Sequence, residues 1–215
     1  DLTNNKLISV AENAGIIKAL VPNGTGNKTC YLSSWANVNT VSSITPVNGT
    51  GQFVNYSALA ADSIYLIVSN KKLAYSANQY ANYRRSVTGG SHNVLVAYVQ
   101  DLYDQFAFGV NRHPFSVKHF SKFLLDTYPS QPKNLLLLGK SIHPNEVITN
   151  ISNASRVLVP TFGYPASDNL LTQGLLNPAS LAPAIATGRI SAENDSMVID
   201  YLNKVMLHEA EPTGQ

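Results

Sequence analysis

Four consecutive leucines, Leu135–Leu138, constrain the fold of this chain more than any other feature. The run has the length of a strand, ends at Gly139, and lacks the polar alternation of a half-buried strand. A strand without alternation is buried on both faces, as in the middle of a parallel sheet that is covered by helices. The sequence therefore predicts a central parallel strand over Asn134–Leu138, followed by a sharp turn at the glycine.

Strand-like and helix-like patterns alternate on both sides of this segment. The other predicted strands are Ile64–Val68, Asn93–Val99, Val157–Pro160 and Ala184–Arg189. The predicted helices are Leu73–Ser86, Asp101–Phe106, a helix from Pro114 to near Tyr128, and Asn194–Ala210. The expected inward residues of the last two helices are Phe115, His119, Phe120, Phe123 and Leu124, and Val198, Leu202, Val205 and Met206. This alternation predicts an α/β fold, a three-layer αβα arrangement with a mainly parallel sheet.

Residues 1–60 show a different pattern, in which short apolar runs are separated by Gly, Asn and Pro. Four of these runs have the length of strands, namely Leu7–Val10, Ile16–Val21, Cys30–Leu32 and Val41–Ile44. Asn48–Gly51 has the composition of a turn, because Asn and Gly tolerate positive φ. We interpret residues 1–60 as a β-rich segment, the tail of a preceding β domain and a linker, and residues 61–215 as the α/β body.

Composition and charge exclude several classes of protein. A net charge of +2 and the lack of any Lys/Arg run give no basis for nucleic-acid binding. No apolar stretch approaches the ~20 residues that span a bilayer. The charged fraction of 13% is low, and the abundance of Asn, Ser, Thr and Tyr favours an extracytoplasmic location. Neither end resembles a natural terminus, so we expect a segment of a longer chain.

Two familiar catalytic patterns do not hold in this sequence. Gly139-Lys140-Ser141 follows a strand, but a phosphate-binding loop needs another glycine where Asn134 stands. Cys30 is the single cysteine, which excludes an internal disulfide and a cysteine-based metal cluster. It precedes every histidine, and free cysteines are usually buried, so we expect it to be structural rather than nucleophilic.

Candidate binding residues lie after the predicted strands. Of the five histidines, only His143 closely follows the carboxyl end of a central strand, the edge where ligands bind in open α/β sheets. Ser167, Asp168 and Asn169 form a polar cluster in a loop, which reads most simply as turn chemistry. A calcium site would need more oxygen ligands, and the loop that follows supplies no second acid.

An ordered series of motifs resembles the gingipain family of cysteine peptidases over roughly residues 60–210. These motifs are Tyr80–Arg85, Val99–Phe106 with Gly109-Val110, Asn134–Gly139, Val159–Thr161, Ala166–Asn169 and Thr187–Ile190. Lys140 and the run Pro165–Leu171 are most similar to the branch described as sortases of the type IX secretion system of Bacteroidota.

The resemblance implies a caspase-like αβα fold of two subdomains, with a His/Cys dyad, assisted by an acid, on the second subdomain. This chain resembles the first subdomain only, so no catalytic residue is expected in this segment. The expected pocket residues are Lys140, His143, Ser167, Asp168 and Asn169, and no metal ligand is expected. Some family members bind calcium after the Ser-Asp element, but the acids expected there are missing from this sequence.

The resemblance also implies a function for the parent protein. The chain would be the non-catalytic half of a peptidase or sortase that cleaves peptide bonds of secreted proteins through an acyl-enzyme. Its expected partners are a second peptidase subdomain and a peptide or protein substrate, and its expected location is secreted or at the outer-membrane surface. The alternative is a catalytically inactive scaffold that keeps the peptidase-like fold and binds secreted cargo.

Overall fold

The computed structural model describes residues 1–22, 25–34, 36, 40–60, 62–128, 130 and 132–211. The chain divides into two compact units, Asp1–Thr45 and Pro46–Gln215. Residues 46–60, which we grouped with the β-rich segment, fall within the second unit. Tyr56 is buried in the core of that unit.

The first unit contains an antiparallel hairpin of β1 (Val10–Asn13) and β2 (Ile16–Ala19). Ala14 and Gly15 both have positive φ, of 51° and 78°, which is the geometry of a tight two-residue hairpin turn. The strand that we predicted over Leu7–Val10 instead begins at Val10. The strands predicted at Cys30–Leu32 and Val41–Ile44 do not form, and Cys30 is exposed rather than buried.

The first unit shows why apolar runs alone did not predict its strands. All residues of both strands are exposed, so the hairpin buries neither face. Leu7 and Ile44 are 95% and 89% exposed. An apolar run becomes a strand when a packed face buries it, and no such face covers these runs within the described part of the unit.

The second unit is built on a four-stranded parallel sheet. Its strands are β3 (Tyr65–Ser69), β4 (Val94–Tyr98), β5 (Asn134–Leu138) and β6 (Ala186–Ile190), in the order β4-β3-β5-β6. The bounds of β5 coincide with the prediction, and β5 lies between β3 and β6. The predicted parallel sheet with an interior leucine-rich strand is confirmed.

Helices cover both faces of this sheet. They are α1 (Tyr56–Leu59), α2 (Ala74–Arg85), α3 (Val99–Phe106), α4 (Phe115–Thr127), α5 (Pro144–Thr149) and α6 (Asp195–Ala210). Short 3-10 turns occupy Val47–Gly49, Lys71–Leu73, Ile151–Arg156 and Asp168–Leu171. Residues of α3 and α4 pack on one face, and residues of α2 and α6 pack on the other. The three-layer αβα architecture is confirmed.

The four leucines of β5 divide between the two layers. Leu135 and Leu137 pack in the core on the α3/α4 side, whereas Leu136 and Leu138 pack in the core on the α2/α6 side. All four are at most 8% exposed. Because successive strand residues point to opposite faces, burial on both faces explains why this strand has no polar alternation.

Two predicted helix faces need correction. The buried positions of α4 are Ser116, Val117, Phe120, Ser121, Leu124 and Leu125. Phe120 and Leu124 are therefore inward as predicted, whereas His119 is exposed and Phe115 is 37% exposed. In α6, Val198 and Leu202 are buried as expected, but Met206 is 43% exposed.

The segment Val157–Pro160 is buried, but it is not the strand that we predicted. The backbone amides of Leu158 and Val159 both donate to the carbonyl of Lys140, at 2.9 and 3.2 Å. Two amides that share one carbonyl cannot form a regular ladder. The segment instead crosses the carboxyl end of β5.

The strand order reverses between β3 and β5. The chain passes from β3 outward to β4, crosses back past β3 to β5, and continues outward to β6. In such sheets the connections after the two inner strands leave toward opposite faces, and the crevice beyond their carboxyl ends is where ligands bind. The fold therefore places the candidate site at the ends of β3 and β5.

Candidate functional site at the carboxyl edge of the sheet

Buried polar side chains join the ends of the two inner strands. The Ser69 hydroxyl donates to the carbonyl of Leu138 at 3.0 Å, and the Asn70 amide donates to the carbonyl of Leu158 at 2.9 Å. Both residues are less than 9% exposed. Sequence reasoning missed this pair, because Ser and Asn after a strand are also ordinary turn residues. The pair fixes β3 against β5 and the segment that crosses it.

Gly139 permits this crossing. Its φ is 145°, and a Cβ atom there would lie 3.0 Å from Val159 Cγ2 and 3.1 Å from Leu158 Cβ. A side chain would meet both conformational strain and crowding at this position. The predicted turn at this glycine is confirmed, and its reason is the close approach of residues 158 and 159.

Lys140 turns its side chain toward the far side of β6. Its ammonium group pairs with the Glu193 carboxylate, and the two side chains are 29% and 56% exposed. Hydrogen bonding to Lys140, together with its charge, lowers the pKa of Glu193. Exposed pairs of this kind contribute little to stability, and both side chains reach the surface.

His143 is half-buried at the start of α5. Its Nδ1 accepts a hydrogen bond from the backbone amide of Asn145 at 3.2 Å, so the ring caps this short helix. The ring also meets Tyr164 edge-on, with centroids 5.2 Å apart and planes at 86°. Tyr164 is 81% exposed. The two rings therefore form an aromatic surface beside the end of β5.

Asp168 and Arg189 form a bidentate ion pair at this edge. Both carboxylate oxygens of Asp168 accept from the Arg189 guanidinium, from Nε at 2.8 Å and from Nη2 at 2.7 Å. The Thr161 hydroxyl donates to the same carboxylate at 2.9 Å. The two charged side chains are only 24% and 12% exposed. Asp168 is thus an ion-pair partner, which the turn interpretation of its loop did not include.

The pKa of Asp168 shows which influence prevails. Partial burial alone would raise the pKa of its carboxyl, but the hydrogen bonds and charge of Arg189, with the Thr161 hydroxyl, hold it below the ordinary value. The residue that sequence reasoning missed here is Arg189. The available signal was an arginine within a predicted strand of a covered sheet, because a charged side chain there must reach solvent or find a partner.

Ser167 and Asn169 act through their backbones. The Ser167 amide donates to the Phe162 carbonyl at 2.8 Å, and the Asn169 carbonyl accepts from Thr172 and Gln173. On the α4 side, the Lys118 ammonium donates to the carbonyls of Leu170 and Gln173, at 3.0 and 2.9 Å. We call residues 161–173 the site loop. It is docked against both α4 and β6.

The five predicted pocket residues therefore do not form one cluster. Ser167, Asp168 and Asn169 lie in the site loop, and His143 reaches that loop through Tyr164. Lys140 pairs instead with Glu193. All five residues nevertheless lie at the carboxyl edge of the sheet.

Asp168, the loop carboxylate that we considered as a calcium ligand, is occupied by an ion pair. Both oxygens of Asp168 face a guanidinium, which would repel a cation. No group of three or more His, Cys, Asp or Glu side chains in the described ranges could hold a metal ion.

A depression of about 410 Å³ lies at the opposite edge of the sheet, between Arg85 and His92. It borders Ile64 and Val94, at the amino ends of β3 and β4. Ligands of open α/β sheets bind at the other edge. The candidate site is therefore assigned to the carboxyl edge.

The family model described as Peptidase family C25 matches residues 59–215. The chain belongs to peptidase family C25. This is the gingipain family, and the match begins at Leu59, the last residue of α1, and includes the whole sheet of the second unit. No curated protein matches the chain.

The peptidase C25 fold is also seen in a solved structure. The crystal structure of dimeric latent PorU from Porphyromonas gingivalis is similar to this chain with a TM-score of 0.51 and 17% identity. The similarity covers 68% of this chain and 15% of that chain. At this identity the likeness shows a common fold, and this chain spans a small part of the PorU chain.

The residues that match family C25 include no cysteine. Cys30 is the single cysteine and precedes residue 59. No helix in the part of the chain that the structure describes is long and apolar enough to cross a membrane.

Proposed function

We propose that this chain is the N-terminal, non-catalytic half of a gingipain-like cysteine peptidase of the type IX secretion sortase branch. The supporting observation is a C25 match over residues 59–215 that contains no cysteine. A cysteine peptidase needs a thiolate and a nearby imidazole. In this proposal a second subdomain of the parent protein supplies both.

The proposed reaction is acyl transfer on secreted proteins outside the cytoplasm. A thiolate of the second subdomain attacks a peptide carbonyl, the amine leaves, and an acyl-enzyme remains. Water or another amine then attacks the acyl group and frees the thiolate. The half described by this structure supplies one wall of the site, with the aromatic surface of His143 and Tyr164 and the charged pair of Lys140 and Glu193 facing the substrate.

The test uses the full-length parent protein, a library of peptides and two cysteine variants. C30S is expected to leave the cleavage rate unchanged within about twofold, because Cys30 lies outside the C25 match. Alanine at a cysteine of the second subdomain is expected to abolish cleavage. Peptide mapping after iodoacetamide inactivation should place the label that follows activity loss on the latter residue. Loss of cleavage in C30S alone would refute the proposal.

The second candidate function is a cargo-binding scaffold without catalysis. The observation that favours it is the aromatic surface of His143 and Tyr164, which could bind a peptide without cutting it. The same full-length preparation discriminates the two functions. A scaffold would retain peptide binding and show no cleavage that iodoacetamide abolishes.

A further inference from the structure

The Arg189 guanidinium has no hydrogen-bonding capacity left over. An arginine side chain carries five N–H groups. Nε and one N–H of Nη2 bind Asp168, and the other N–H of Nη2 binds the Pro160 carbonyl at 3.1 Å. Nη1 donates to the carbonyls of Gly139 and Val159, at 2.7 and 2.9 Å. This side chain is fully engaged in holding protein, so it does not itself bind a ligand.

These bonds join four parts of the candidate site. Arg189 belongs to β6, Gly139 ends β5, Val159 and Pro160 belong to the crossing segment, and Asp168 belongs to the site loop. Between residues 161 and 167 this loop has no helix or strand. Side-chain contacts help to hold it over the sheet: the Arg189 guanidinium makes two hydrogen bonds to Asp168, and the Lys118 ammonium makes two to the carbonyls of Leu170 and Gln173.

We propose that Arg189 is a positioning residue, which holds the site loop over the carboxyl ends of β5 and β6 and so shapes the wall that a peptide substrate contacts. The statement that a peptide contacts this wall depends on the function proposed above. Lysine cannot replace this arginine, because one ammonium group cannot reach a carboxylate and three carbonyls in a planar, bidentate arrangement. The charge is kept in R189K, and the geometry is lost.

The test compares R189K with a matched control, R84K, in the full-length protein. Arg84 is also a guanidinium of low exposure, 14%, paired with a carboxylate, that of Glu209. It lies in the last turn of α2, away from the site loop. Hydrogen exchange of residues 161–173 is expected to accelerate about tenfold in R189K and to be unchanged in R84K. T161V, which removes one bond to Asp168, should give a smaller acceleration.

Peptide kinetics provide the second measurement. Loss of the wall weakens binding without touching the nucleophile, so KM should rise about fivefold in R189K while kcat stays within about twofold. Unchanged exchange of the site loop in both R189K and T161V would overturn the positioning role, whatever the kinetics. Faster exchange with an unchanged KM would overturn the link to the substrate. If the wild-type protein cleaves nothing, the proposed function fails, and the exchange measurement still decides the role of Arg189.

Discussion

At the scale of single residues, the second unit keeps a charge pair at low exposure by surrounding it with hydrogen bonds. Removing charges from water is costly, and that cost is offset only when every donor and acceptor finds a partner. Arg189 meets this condition through Asp168 and three carbonyls. Removing one partner is therefore more damaging than the low stability value of surface pairs would suggest.

D168N is expected to lower the free energy of unfolding by about 1–3 kcal/mol at pH 7, because the Arg189 guanidinium, only 12% exposed, loses its counter-charge. The pKa of Asp168 is lowered in the folded state. Its contribution is therefore complete above the ordinary value near 3.9, and it is lost as pH falls through the lowered folded value. Urea unfolding at pH 7 and pH 3 should show a smaller difference between wild type and D168N at the lower pH.

The control for this measurement is D126N. Asp126 pairs with Lys122 on the surface of α4 and is 57% exposed, so its replacement should change stability by less than about 0.5 kcal/mol at either pH. A D168N effect of the same size at pH 7 and pH 3 would contradict the assigned role of the carboxylate charge.

At the scale of elements, β5 shows how one strand organises two layers and a crossing segment. Its leucines bury alternately against α3/α4 and α2/α6. Just beyond its end, the amides of Leu158 and Val159 donate to the carbonyl of Lys140, where the crossing segment passes. Gly139, which has no side chain, leaves room for this crossing.

G139A is expected to destabilise the protein by about 1–3 kcal/mol, through a strained φ of 145° and overpacking against Val159 and Leu158. The matched control is G188A in β6. A Cβ atom at Gly188 meets nothing within 4 Å, so its effect should stay within about 0.5 kcal/mol. Thermal unfolding followed by circular dichroism measures both, and equal effects of the two substitutions would show that the crossing is not tight.

At the scale of the whole molecule, the buried apolar core of the described residues lies in the second unit. Its buried apolar residues run from Tyr56 to Leu202. The Tyr56 ring lies 4.6 Å from that of Phe120, and the Tyr128 hydroxyl donates to the carbonyl of Ser57 at 3.1 Å. The segment 46–60 is thus part of the α/β body in its packing.

Two truncations test this organisation. Deletion of residues 1–45 should leave the melting temperature of the remainder within about 3 °C, because none of the deleted residues that the structure describes belongs to the buried core. Deletion of residues 1–60 should cost about 3–5 kcal/mol, since it also removes Tyr56 from beneath Phe120. Equal stability of the two truncated proteins would favour our original boundary after residue 60.

An element of this fold could be predicted from the sequence when the pattern that indicates it lies within a short stretch of the chain. The leucines of β5, the glycine after them and the alternation of strands and helices reveal burial and period in the sequence itself, so the αβα fold could be predicted. Val157–Pro160 could not be placed, because an apolar run has the same composition in a strand and in a buried crossing segment. The strand predictions at the apolar runs of the first unit failed for a related reason, since these runs are exposed among the described residues of that unit.

The sequence by itself determined that β5 is buried on both faces, that the chain turns at Gly139, and that the chain belongs to the peptidase family. Only the tertiary structure decided that Asp168 serves Arg189, that Lys140 faces Glu193, and that the site loop is held over β5. These contacts join residues that lie 21 and 53 positions apart in the sequence. Local patterns carry information about burial and backbone conformation, whereas the partner of a charged side chain is set by the path of the whole chain.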